Sequence, residues 1–120
     1  PPATAVRAFF EEVIERSVDD KQRRGCMLVN AALELAPYDP EFQRLVTEEM
    51  VFIEAFFRRC VEAGQKDGSI TDTRPADELA KLLLSVLLGI RVLARTRPQR
   101  DVLEGAANGV LALLGKHKSF

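Results

Sequence analysis

A chain of 120 residues with 47% hydrophobic and 29% charged side chains has the size and balance of one globular domain, not of a disordered segment. Its net charge of −1 gives no broad basic surface for gripping nucleic acid, which needs lysines and arginines to neutralise phosphates. Two cysteines outside any paired motif and a single histidine speak against a disulfide framework and a zinc site, and point to a reducing, cytoplasmic setting.

The first predicted helix covers about Thr4 to Val18. Val6, Phe9, Phe10, Val13 and Ile14 repeat at the spacing of one buried helical face. Glu12 and Arg16 form a favourable pair one turn apart on the wet side. The polar stretch DDKQRRG breaks this pattern. No leader is expected at the N-terminus, which lacks a basic segment followed by an apolar one.

Helix two is predicted from about Gly25 to Ala36. It stops there because the residue before Pro37 is pushed out of helical conformation. Helix three starts at Asp39-Pro40-Glu41, where Asp39 can cap free N–H groups, Pro40 suits the first helical position and Glu41 faces the positive end of the dipole. Gly64 and Gly68 mark its end. Ile70 to Arg74 is a connector. Pro75 opens helix four, which runs to about Thr96, and Pro98 separates it from helix five, about Gln99 to Leu114. No segment reads as a strand, and the short breaks favour antiparallel packing. The expected fold is therefore all-α, five helices in one domain over residues 1–120. The most apolar run, 79–94, is short for a bilayer and holds Lys81 and Arg91, so it reads as a buried helix without membrane contact.

Helix four is too apolar for a single buried stripe. Its Leu, Val, Ile and Ala residues sweep an arc of roughly 200° at 100° per residue, where a stripe of about 100° covers a small core. Either it is the central helix of a five-helix monomer, or helices four and five pair with the same helices of a second copy. The candidate interface residues are Leu79, Leu83, Val86, Leu87 and Ile90 on helix four, with Leu103, Ala106, Val110 and Leu113 on helix five. Gly105 and Gly109 allow close helix approach.

Cys26, Asn30 and Glu34 in helix two lie one turn apart on one side of an otherwise apolar segment. The line is either the solvent edge of a buried helix or the polar wall of an internal cavity. Candidate ligand-binding residues are Phe10, Cys26, Asn30, Phe52, Phe56 and Arg91. Cys26 also follows Arg23 and Arg24 at a helix N-terminus, where dipole and cations favour the thiolate, although a buried cysteine is commonly an inert small hydrophobe. No GxGxxG, P-loop, GxSxG or HExxH motif is present, and no pair of acids stands apart as an acid–base couple, so an enzyme is not expected, nor any cofactor or metal.

The succession "GCMLVNAALELAPYDPEF", "EAGQKDGSI", "ADELAKLLLSVLLGIRVLART" and "VLEGAANGVLALL" resembles the C-terminal regulatory domain of the TetR family of bacterial transcription repressors, from about Phe9 to Leu114. The resemblance implies a small-molecule effector and a homodimer whose last two long helices make a four-helix bundle with a second copy. It also implies that operator DNA is reached only through an N-terminal helix-turn-helix domain, for which there is no room ahead of Phe9. Two other functions stay open: a thiol sensor acting through Cys26, and a helical dimerisation module without ligand.

Overall fold

The computed structural model describes residues 2–19 and 27–115, the latter without the side chains of 27–29 and 31. These residues form five helices and no strand: α1 (Pro2–Asp19), α2 (Met27–Glu34), α3 (Pro40–Asp67), α4 (Ala76–Thr96) and α5 (Arg100–Leu114). α2 ends at Glu34, earlier than the proline alone requires. A turn follows in which Tyr38 and Asp39 both donate their N–H to the Leu35 carbonyl at 3.0 Å. Asp39 then caps α3: one carboxylate oxygen accepts from the N–H of Glu41 at 3.0 Å and of Phe42 at 3.4 Å. The expected start of helix two at Gly25 lies outside the described residues.

α3 runs straight through Gly64 and stops at Gly68, whose φ of 87° is open to glycine at little cost. Gly64 has another reason to be glycine. It is buried, and a Cβ there would collide with the Ile70 side chain as the chain turns back. That return is pinned by the Gln65 amide, which donates to the carbonyls of Thr71 (3.1 Å) and Arg74 (2.9 Å). The Thr71 N–H donates to the Leu114 carbonyl at 2.8 Å, tying the end of α5 to the same turn.

α4 touches α1, α2, α3 and α5, so it is the central helix. The core is built around it: Val6, Phe10 and Ile14 from α1, Phe57 and Val61 from α3, Leu83, Leu87 and Ile90 from α4, and Leu103 and Val110 from α5. Phe10 stacks on Phe57 with ring centroids 5.8 Å apart, and Phe9 meets Phe57 edge-on at 5.3 Å. Much of the wide apolar arc of α4 is thus consumed inside one chain. Leu79, Leu83, Leu87, Ile90, Leu103 and Val110 are all buried there, and a second copy cannot touch them without repacking the core. Of the expected interface residues, Val86 and Ala106 are half-buried and Leu113 is 57% exposed.

Candidate functional site

The six candidate ligand residues separate into distinct surroundings. Phe10 belongs to the core. Phe56 is half-buried and joins the aromatic cluster through Phe9, 5.5 Å away. Phe52, one turn earlier on α3, is 68% exposed and lies outside that cluster. Asn30 is half-buried on α2, and its side-chain oxygen accepts a 2.6 Å hydrogen bond from Arg95 of α4. Arg91, also half-buried, precedes Arg95 by one turn on the same face of α4. Cys26 lies outside the described residues, and Glu34, the last of the polar line, is exposed.

The structure therefore joins Asn30 to the C-terminal end of α4 and leaves Phe52 on the surface. Arg95 is the residue that sequence reading missed. Its signal was present, since it follows Arg91 at helical spacing, but nothing in one dimension says that this end of α4 meets α2, 65 residues earlier. Apolar surface gathers on the same part of the chain: Leu33, Leu35, Tyr38, Phe42, Leu45, Val51 and Phe52 are all exposed, on or between α2 and the first half of α3.

A concavity of about 700 Å³ lies between α1 and α5, open to solvent. Phe10, Ile14, Ala107 and Leu111 form its apolar part, and charged groups including Arg7, Glu11 and Arg100 line the rest. Arg100 donates to Glu15 at 2.6 Å and to Glu104 at 3.4 Å, linking the two helices. The hydrogen bond and charge of Arg100 hold the Glu15 carboxyl below its ordinary pKa. Cys60, half-buried on α3, packs against the core, and burial raises its thiol pKa. Among the described residues no group of three His, Cys, Asp or Glu side chains could hold a metal ion, and no helix is long and apolar enough to cross a membrane.

Four helices packed around one central apolar helix, with a polar contact across α2 and α4, define an all-α domain. The chain matches the family model described as "Tetracyclin repressor-like, C-terminal domain" over residues 2–110, and it belongs to that family. It is 27% identical over 114 residues to a protein of Bacillus subtilis (strain 168) named "Uncharacterized HTH-type transcriptional regulator YezE". That match covers 92% of this chain and 57% of the relative, so the chain spans little more than half of the relative's length. No solved structure matches it.

Proposed function

We propose that this chain is the effector-binding and homodimerising part of a transcriptional repressor. In this reading the whole protein reaches operator DNA through an N-terminal helix-turn-helix domain and works in the cytoplasm. Membership of the TetR-type C-terminal family supports the class, and the HTH-type regulator it is similar to supports the DNA-reading partner domain.

The observation that carries the dimer is the outer face of α4 and α5. Leu82, Val86, Gly89 and Leu93 follow at helical spacing on α4, and Val102, Ala106, Gly109 and Leu113 do so on α5. Each of these side chains is exposed or half-buried. A Cβ added at Gly89, Gly105 or Gly109 would meet nothing. A glycine inside a helix costs about 1 kcal/mol relative to alanine, and the chain's own packing gives no return for it at these positions. Close approach of a second α4–α5 pair accounts for all three. This face replaces the deeper set of leucines as the interface.

Effector binding is placed at the α2 side of the domain, between Asn30, the α4 end and the apolar groups of α3. The effector acts by population shift: it favours one arrangement of α1 and α2, and biases the equilibrium only by its difference in affinity between states. Sedimentation velocity tests the dimer. Wild type sediments as a dimer at micromolar concentration and Leu113→Asp as a folded monomer; a monomeric wild type overturns the reading. In the full-length protein, operator affinity unmoved by every ligand this domain binds refutes the coupling.

A further inference from the structure

The corner where α4 meets α2 differs chemically from the rest of the surface. Five other arginines among the described residues pair with carboxylates. Arg16 pairs with Glu12, Arg44 with Glu48, Arg58 with Glu62, Arg74 with Glu78 and Arg100 with Glu15. Arg95 instead donates to the neutral amide oxygen of Asn30, at 2.6 Å. It is solvent-exposed, and a second guanidinium, Arg91, sits one turn away on the same face. The negative end of the α4 dipole accounts for cations here, but not for a neutral acceptor where five other arginines take carboxylates.

A guanidinium matches planar oxyanions bidentately, and its hydrogen bonds to charged acceptors are roughly twice as strong as those to neutral ones. The Arg95–Asn30 bond is accordingly one that an anion can displace. Displacing Asn30 removes one side-chain link between α2 and α4, which is the kind of change an effector must produce. We propose that this corner is an anion-recognition site and that the effector carries a carboxylate or phosphate group, which takes the place of Asn30 on Arg95 with Arg91 beside it. This rests on placing the effector at α2. It adds the ligand's charge class and makes Arg95 the residue that reads it.

The test is the shift in melting temperature, and titration of the Arg95 side-chain NMR signal, with five probes: octanol, octanoate, octyl phosphate, acetate and inorganic phosphate. Octanol reads the apolar site alone, acetate and inorganic phosphate read the anion corner alone, and the amphipathic anions read both. Octanoate or octyl phosphate binds wild type about tenfold more tightly than octanol, and whichever is tighter decides between carboxylate and phosphate. Arg95→Gln removes that preference while octanol binding persists, Arg95→Lys restores part of it, and Asn30→Asp, which installs a competing carboxylate, suppresses it. Arg95 is exposed, so circular dichroism of the variants remains native. Octanol binding as tightly as octanoate and octyl phosphate, or anion binding unchanged in Arg95→Gln, overturns the anion site and leaves the placement of an apolar effector at α2 standing. No response to any of the five overturns both.

Discussion

Single residues show how narrowly local chemistry is set. Gly64 and Gly109 are both helical glycines, yet they answer opposite demands. At Gly64 the Ile70 side chain fills the space a Cβ needs, whereas at Gly109 that space is empty. Gly64→Ala therefore costs about 1–3 kcal/mol as an overpacking change, measured by chemical denaturation. Gly109→Ala stabilises the isolated fold by up to about 1 kcal/mol through helix propensity, and weakens self-association measured by sedimentation. Glu15 gives a pH signature. Arg100 lowers its folded pKa, so the stability it contributes is present above the ordinary glutamate value of about 4.3 and is lost as pH falls through the lowered one. In Arg100→Gln the Glu15 carboxyl titrates closer to the ordinary value, as read by NMR. Asp39 is the residue whose role the sequence states most directly. Acid at the cap and proline at the next position are a local code, and the two hydrogen bonds to Glu41 and Phe42 follow from it.

At the scale of helices, the apolar period correctly marks which segments are helical, but not which apolar residues face inward. α1 illustrates success: Val6, Phe10 and Ile14 are all buried. α3 illustrates the limit. Its first half carries Phe42, Leu45 and Phe52 on the surface, while Phe57 and Val61 in its second half are fully buried. A helix of 28 residues is about 42 Å long at 1.5 Å per residue, more than a small core can cover. Truncating a phenylalanine in either half of α3 should therefore differ sharply in effect. Phe57→Ala costs about 3–5 kcal/mol, whereas Phe52→Ala changes stability by less than about 1 kcal/mol, both by thermal or chemical denaturation. Of the candidate ligand residues, Asn30 and Arg91 were legible as polar groups on apolar helices. Arg95 was not, because its role depends on which helix its end meets.

For the whole molecule, the structure has one end tied and one end latched. Gln65 and the Thr71–Leu114 bond hold the α3–α4 turn to the end of α5. At the other end of α4, exposed side chains carry the links: Arg95 to Asn30 and, just across the turn into α5, Arg100 to Glu15. Exposed pairs are worth little and are readily exchanged, whereas backbone and buried contacts resist opening. α2 thus meets α4 in part through a contact that a ligand can alter, whereas α1 is also held by the buried Val6, Phe10 and Ile14. If the chain dimerises through α4 and α5, its melting temperature rises with protein concentration, and that dependence vanishes in Leu113→Asp.

The sequence by itself determined the helices, their caps and breaks, the all-α class and the family resemblance, because periodicity, prolines and cap residues act over a few neighbouring positions. Only the tertiary structure decided that Leu83, Leu87 and Ile90 serve the chain's own core, that Phe52 stays outside it, and that Arg95 reaches Asn30. These depend on distances between segments far apart along the chain, and helical spacing reports a residue's face without naming the neighbour that face will meet.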